Sequence, residues 1–285
     1  MKKPILSVGR LYCDLVFADA PRLPTPGTEV FAPSLSLHAG GGAFITGATF
    51  AGLGHAVSLA ANFPAAPFDT IVGADIAAHG VDATYCATAQ NGTDPQITVA
   101  IGAADDRAFL TRAAGAALPD LSALTFAHFK HLHIGELRTL QDVPTLLDSA
   151  RSNGMTVSVD CGWQDDFDTN VADLIANVDV FLPNESEAAA LLQLGIEQDC
   201  APLTVVKCGP RGARAIVHGD NDWIDCPIAS PVKVRDTTGA GDAFNGGFLS
   251  RWLENAALLD CLTQGNACGA ATVQVVGGLG HLVKV

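Results

Sequence analysis

Ile5–Val8, Val57–Ala60, Leu132–Ile134, Val157–Val159, Val178–Leu182, Thr204–Lys207 and Ala215–Val217 are short apolar runs, several without the polar alternation of a half-exposed strand. Such runs have to be covered on both faces, the situation of strands in a parallel sheet with helices on each side. Between them lie stretches of helical period near residues 42–53, 69–79, 139–153, 184–193, 241–254 and 256–275. The alternation predicts an α/β layered fold with a mostly parallel central sheet flanked by helices. At 285 residues, 48% of them hydrophobic and 16% charged, the chain can bury a large core. No repeat or long polar linker divides it, and residues 1–285 are expected to form one domain.

Two stretches break the pattern. Residues 10–38 carry Pro21, Pro24, Pro26 and Pro33 with little helical period. Residues 84–112 hold Ile97, Val99 and Ile101 at period two, followed by the polar turn Ala104-Asp105-Asp106-Arg107. Both predict strands projecting from the main sheet, as a lid over a site, a dimer contact, or an ordinary antiparallel extension. The exposed edges of such a layer predict pairing with a second copy, a homodimer through the lid.

Charge narrows the partners. Sixteen Lys and Arg against thirty Asp and Glu give a formal charge of -14, which disfavours nucleic-acid backbones and anionic membranes. An anionic small molecule remains compatible, since a few local donors outweigh the global field. The apolar run after Lys2 and Lys3 is too short for a signal peptide, and no stretch approaches the roughly 20 apolar residues of a spanning helix. The eight cysteines form no Cys-x-x-Cys pair and read as buried reduced thiols. A soluble, cytoplasmic protein is expected.

The richest segment is Asp236-Thr237-Thr238-Gly239-Ala240-Gly241-Asp242-Ala243-Phe244-Asn245-Gly246-Gly247-Phe248. A polar turn with small glycines runs straight into a helix, so unhindered N–H groups and the positive end of the helix dipole make an anion site. Asp242 would sit where that anion docks. A carboxylate there makes sense if it accepts a proton from a hydroxyl attacking a phosphoryl group. Read alone, the segment also fits a capped helix after a tight turn. No Walker A sequence and no early Gly-x-Gly-x-x-Gly exists, which disfavours a P-loop and a dinucleotide oxidoreductase.

Asp-Thr-Thr-Gly-Ala-Gly-Asp-Ala-Phe resembles the C-terminal signature of the ribokinase family, the carbohydrate kinases of the phosphofructokinase B type. Three further segments fall in that family's order. Gly40-Gly41-Gly42-Ala43 with Leu53-Gly54 resembles its N-terminal glycine signature. Asn184-Glu185-Ser186-Glu187 resembles its Asn-x-x-Glu motif. Lys207-Cys208-Gly209-Pro210-Arg211-Gly212-Ala213 resembles its Gly-x-x-Gly turn over the nucleotide. The resemblance spans essentially the whole chain and implies a ribokinase-like fold with a small β-strand lid.

It implies an ATP- and Mg²⁺-dependent kinase acting on a hydroxyl of a sugar or sugar-like molecule. Asp242 is then the general base, and Gly239, Ala240 and Gly241 form the anion hole. A helix N-terminus is expected to keep Asp242 ionised at neutral pH. Asn184 and Glu187, three apart on one helix face, would organise nucleotide and Mg²⁺ through water, although Asn followed by Glu at that spacing is also a capping box. Lys207, Gly209, Arg211, Gly212, Thr238 and Asn266 join the nucleotide set, with Arg211 reaching a phosphate or merely solvating its turn. Asp14 resembles the ligand of the acceptor's hydroxyls, joined by Gly41, Gly42, Thr46, Glu136 and Asp160. Backbone oxygens around Asp236 and Thr238, with the Gly277–His281 loop, would hold K⁺.

Three departures bear on the acceptor. Thr46 stands where many sugar kinases of the family carry Asn, the segment Asn62–Phe68 is short, and Trp163-Gln164 replaces an Arg. With Phe44 and Phe109, these leave room for a base-stacking pocket, so a nucleoside kinase is the alternative, and a non-catalytic sugar or nucleotide sensor a further one. His128, His131 and His133 lack a metal-site spacing and read as a polar strand end.

Overall fold

The computed structural model describes residues 4–90, 92–103, 107–164, 167 and 170–279. In chain order the strands are β1 (Ile5–Val8), β2 (Tyr12–Ala20), β3 (Ser34–Gly40), β4 (Val57–Ala60), β5 (Ile97–Ala103), β6 (Arg107–Arg112), β7 (His131–Ile134), β8 (Thr156–Asp160), β9 (Val180–Leu182), β10 (Leu203–Lys207), β11 (Ala213–Val217) and β12 (Ile224–Cys226). The helices are α1 (Gly42–Gly52), α2 (Phe68–Ala78), α3 (Leu137–Asp142), α4 (Thr145–Ser152), α5 (Val171–Ala176), α6 (Glu185–Gln193), α7 (Ala240–Trp252) and α8 (Leu258–Thr272).

Eight strands form the core sheet in the order β12-β11-β10-β9-β8-β7-β1-β4. From β4 to β10 all pairings are parallel, and β10–β11 and β11–β12 are antiparallel. Side-chain alternation sends Leu6, Val8, Leu132, Ile134, Val157 and Val159 to the face under α3, α4, α5 and α6. Ile5, Val57, Leu59 and Val205 pack with Phe44, Phe50, Phe244 and Phe248 of α1 and α7 on the other face. Phe44 is therefore core, edge-on to His79 at 6.0 Å, and walls no pocket.

Under α7 the sheet is polar. His131 Nε2 and His133 Nδ1 each lie 2.9 Å from the Ser158 hydroxyl, and His131 Nδ1 lies 2.8 Å from Thr156 Oγ1. Both imidazoles are completely buried; burial drives His133 down to about 4 and holds His131 well below the ordinary imidazole range. They bond to hydroxyls, as the strand-end reading expects, and among the described residues no cluster of His, Cys, Asp or Glu is set to hold a metal directly.

The helix expected over 139–153 is two helices, because Pro144 disfavours helical backbone at Val143, which leaves the helical region with ψ 67°, and opens α4 instead. The strand β12 and the six-residue α5 were not expected. Among the described residues no helix is long and apolar enough to cross a membrane.

A second sheet, ordered β3-β2-β5-β6, stands over the carboxyl end of β1. It pairs β2 antiparallel to β3, β2 parallel to β5, and β5 antiparallel to β6. These are the two stretches expected to project, with β3 running on to Gly40 and residues 84–90 instead folding back to the core sheet through the Asn62–Ala87 bridge. The turn residues 104–106 lie outside the described residues. One face of this second sheet presents Asp14, Thr98, Phe109 and Thr111 to a cleft. The other carries the registered rows Leu37–Leu15–Val99–Leu110 and Leu35–Phe17–Ile101–Ala108.

Candidate active site

The cleft between the sheets has a volume of about 1950 Å³. It opens at the carboxyl ends of β1, β7, β8 and β10, beside β1 where the strand order reverses, the usual ligand position in open α/β sheets. One arm is apolar, lined by Pro210, Ile228, Pro231, Val232, Val234 and Val273 with Asn266. The other runs under the second sheet past Arg10, Tyr12, Asp14, Thr98, Phe109 and Trp163. Asp242 lies where the arms meet.

α7 starts there because Gly239 takes a left-handed backbone, φ 70°, and packs so closely that a Cβ would stand 2.7 Å from Gly278. Asp236 fixes the turn. Its Oδ1 accepts from the Thr238 N–H at 2.9 Å and the Thr238 hydroxyl at 2.7 Å, and its Oδ2 from the Gly277 N–H at 2.9 Å. The carboxylate is thus spent on structure, and only backbone oxygens of this turn remain for a cation. Gly280 and His281 lie outside the described residues. Gly239, Ala240 and Gly241 all line the cleft, with the Ala240 N–H turned back to the Thr237 carbonyl at 3.3 Å.

Asp242 contradicts one expectation. Burial and the Asp160 charge push its carboxyl up to about 8, with Glu187 and Glu136 adding and Lys207 opposing. The helix N-terminus is outweighed by a crowd of like charges. Glu187 rises to about 7 through burial and Asp160, against Lys207 and the Asn184 N–H. Glu136 rises to about 7 through burial, against bonds from Thr139 and the Arg10 N–H. Asp14 rises to about 7 through burial, against a bond from Thr98. Burial opposes the charge on Lys207, yet Asp160, Glu187 and Asp242 hold its pKa up. Its ammonium donates to Asp160 Oδ2 at 2.7 Å and Asn245 Oδ1 at 3.3 Å, and Asn245 also donates to that Asp160 oxygen. One ammonium faces three carboxyls here. Such a floor favours added cation.

The Asn184–Glu187 pair realises the capping box: Asn184 Oδ1 accepts from the Glu187 N–H at 3.0 Å, and Glu187 Oε2 from the Asn184 N–H at 2.7 Å. Both residues also line the cleft, so the cap and the ligand readings are compatible. The Asn184 and Glu187 side chains offer hard oxygen donors, the kind taken by a divalent cation that keeps part of its own water shell. Gly209 and Gly212 line the cleft with the apolar arm's Pro210, and Asn266 reaches that arm while its amide donates to the Cys226 carbonyl at 2.9 Å. Gly41, Gly42, Glu136 and Asp160 line the cleft as expected; a Cβ on Gly42 would lie 3.0 Å from Asp242 Oδ1.

Two expected ligands fall outside. Thr46 is completely buried, does not line the cleft, and donates its hydroxyl to the Asp242 carbonyl at 3.0 Å. Arg211 points out of the cleft to pair with Glu185, because its turn presents backbone inward and the charged side chain to solvent. Asn245 was missed, though a polar residue one turn after Asp242 on a helix face otherwise apolar is a readable signal. Arg10 was missed too; a lone Arg ending an apolar strand was its only mark.

A family model described as pfkB family carbohydrate kinase matches residues 2–282. Over 147 residues the chain is 34% identical to the ATP-dependent ribose-1-phosphate kinase of Halopiger xanaduensis, covering 50% of this chain and 48% of that protein. Over 95 residues it is 39% identical to the fructoselysine 6-kinase of Shigella flexneri, covering 33% and 35%. The aligned segments span half or less of these curated relatives. The structure of ribokinase from Cryptococcus neoformans var. grubii serotype A in complex with ADP superposes with a TM-score of 0.80 at 18% identity, over 100% of this chain and 97% of that one. The nucleoside kinase of Methanocaldococcus jannaschii superposes with a TM-score of 0.77 at 20% identity, over 97% and 93%.

Proposed function

Because the chain belongs to the pfkB family of carbohydrate kinases, we propose that it transfers the γ-phosphoryl group of ATP to a hydroxyl of a sugar or sugar-like molecule. The observation that carries this reading is the place of Asp242, at the junction of the apolar arm and the arm under the second sheet, at the start of α7. The apolar arm suits an adenine, and Asn266 lies within it. Gly239 and Gly241 present backbone toward the transferring phosphoryl group, where fixed dipoles stabilise developing charge. In its ionised form Asp242 takes the proton of the acceptor hydroxyl as the acceptor oxygen bonds phosphorus and the bond from phosphorus to the ADP oxygen breaks. Mg²⁺, when bound, would neutralise phosphate charge, and Glu187 with Asn184 would hold it through water. The second sheet acts as a lid on the single domain, with Asp14 accepting from acceptor hydroxyls.

A second reading, a nucleoside as acceptor, is favoured by the aromatic side chains Phe109 and Trp163, 49% and 69% exposed, which line the cleft. The names of the relatives point to sugars carrying a phosphate or an amino-acid substituent as further acceptors. A panel of sugars, sugar phosphates, sugar–amine conjugates and nucleosides, each with Mg²⁺ and ATP, tests this by ADP release. No acceptor-dependent ADP above background would overturn the kinase reading. Asp242→Asn should cut turnover on a true acceptor by about a hundredfold or more while ATP still binds. A variant that keeps its rate removes Asp242 as base.

Two finer elements belong to the same reading. A monovalent cation, K⁺ in particular, would be held by carbonyls around Asp236 and Thr238 and of the loop from Gly277, setting the angle of the Gly239–Gly241 amides. Equal rates in Na⁺, K⁺ and a large organic cation at one ionic strength would exclude it. The chain would pair with a second copy through the uncharged rows Leu35–Phe17–Ile101 and Val99–Leu110, where Leu110 is 74% exposed. A chain carrying -14 repels its own copies elsewhere, so an uncharged, self-complementary face is its natural contact. Leu110→Glu should then halve the mass seen by light scattering. The ATP requirement and eight free thiols fit the cytoplasm.

A further inference from the structure

The chain crosses between the core and the second sheet at four places: residues 9–11 lead into β2, 40–41 lead out of β3, Gln96 leads into β5, and 113–115 lead out of β6, while β2 and β3 also pack on α2, where the Ala39 N–H donates to Asp75 Oδ2 at 2.8 Å. Arg10 forms one of these crossings and touches the other three. Its carbonyl abuts Gly41. Its guanidinium donates to Gln96 Oε1 at 2.6 Å, to the Ala114 carbonyl at 3.2 Å and to the Gly115 carbonyl at 3.0 Å. Its own N–H donates to Glu136 Oε1 at 2.8 Å, on the cleft floor. The network continues into the core: buried Gln96 donates to the Asn62 carbonyl at 3.2 Å, and Asn62 Nδ2 donates to the Ala116 carbonyl at 2.9 Å. A planar fork of five N–H donors can serve three acceptors at fixed angles, which an ammonium on a flexible stem cannot.

Four crossings gathered on one rigid group cannot swing independently. We propose that Arg10 is the pivot on which the lid moves as one body, and the positioning residue that sets Asp14, Thr98 and Phe109 against Glu136 and Asp242. The mechanical part stands on the contacts alone; its effect on catalysis rests on the kinase reading. Hinges usually absorb motion in small, loosely held residues. Here the crossings are pinned, so closure has to turn about Arg10 while the core sheet stays still.

Hydrogen exchange on the full chain tests the mechanical part without any activity. Arg10→Ala should speed exchange about tenfold or more in β2, β5 and β6 while β7, β8 and β10 keep their rates. Arg10→Lys, which keeps the charge and loses the fork, should fall between. In kinetics with any accepted substrate, the acceptor KM should rise about tenfold with the ATP KM within about twofold. Unchanged exchange in the lid overturns the proposal. So does an increase shared equally by both sheets, the mark of general destabilisation. If Arg10→Ala fails to fold, Gln96→Met removes only the β5 attachment, and it must loosen β5 and β6 selectively or the pivot is wrong. Selective loosening in a protein that phosphorylates no acceptor would keep the pivot and sink the kinase reading.

Discussion

The hydroxyl of Thr46, completely buried in α1, donates to the backbone carbonyl of Asp242 across 3.0 Å, fastening the first turn of α7 to a helix almost two hundred positions earlier. Thr46 thereby shapes the site from behind. Thr46→Val keeps the shape and deletes the bond; the Asp242 carbonyl keeps its helical donor within α7, so the loss should be about 0.5–1.5 kcal/mol. Turnover should fall several-fold while the acceptor KM holds. A raised KM at constant turnover would restore Thr46 as a ligand.

Asp14 rests directly on the backbone of Gly40, where any Cβ would overlap its carboxylate. Gly40→Ala should therefore displace Asp14 and leave the apolar arm alone. Steady-state kinetics should show the acceptor KM up by about tenfold with the ATP KM unchanged. Equal changes in both constants would mean that Asp14 does not address the acceptor.

Lys207 and Asp160 form an ion pair whose side chains are only 12% and 7% exposed. Lys207→Met strands Asp160 among Glu187 and Asp242, which should cost about 3–5 kcal/mol in urea unfolding at pH 8. At pH 5 proton uptake relieves the crowding, and the loss should shrink. A loss independent of pH would refute the shared field of these carboxyls.

The pH dependence of stability carries an unusual sign. Asp14, Glu136 and Glu187 titrate at about 7 and Asp242 at about 8 in the folded chain, against about 4 when unfolded. Between those values the folded state holds more protons, so stability is full at low pH and drains away as pH rises through 7 to 8. Thermal melts without nucleotide or divalent ion should give a higher Tm at pH 5.5 than at pH 8. Asp242→Asn and Glu136→Gln should flatten the slope, as should added Mg²⁺. A wild-type Tm that rises over this interval would contradict the charge balance of the cleft.

Where burial on both faces dictates composition, the fold is plain in the residues. Runs such as Ile5–Val8 and Val57–Ala60 became strands with those boundaries. β12 escaped notice because its three residues carry no apolar run, Ile224 and Asp225 being exposed, and only antiparallel pairing with the neighbouring β11 holds them. In the site, the spacing Gly239–Asp242 was readable because a helix start fixes which atoms face an anion. Side-chain direction was not, and so Arg211 and Thr46 were misplaced. The raised carboxyl of Asp242 was equally hidden, since it arises from Asp160, Glu187 and Glu136, brought together only by the sheet.

Ser158 has a single hydroxyl hydrogen for two imidazoles. Whichever ring receives it must be the acceptor, and the other must be the donor. If His131 Nε2 receives it, His133 carries its proton on Nδ1 and turns a bare lone pair on Nε2 toward the interior. If His133 Nδ1 receives it, the proton sits on Nε2, the atom that has no hydrogen-bond partner among the described residues. The two rings therefore share one binary choice of tautomer, written across neighbouring strands. Nitrogen chemical shifts of both rings should switch together or not at all, and Ser158→Ala should set them free of each other.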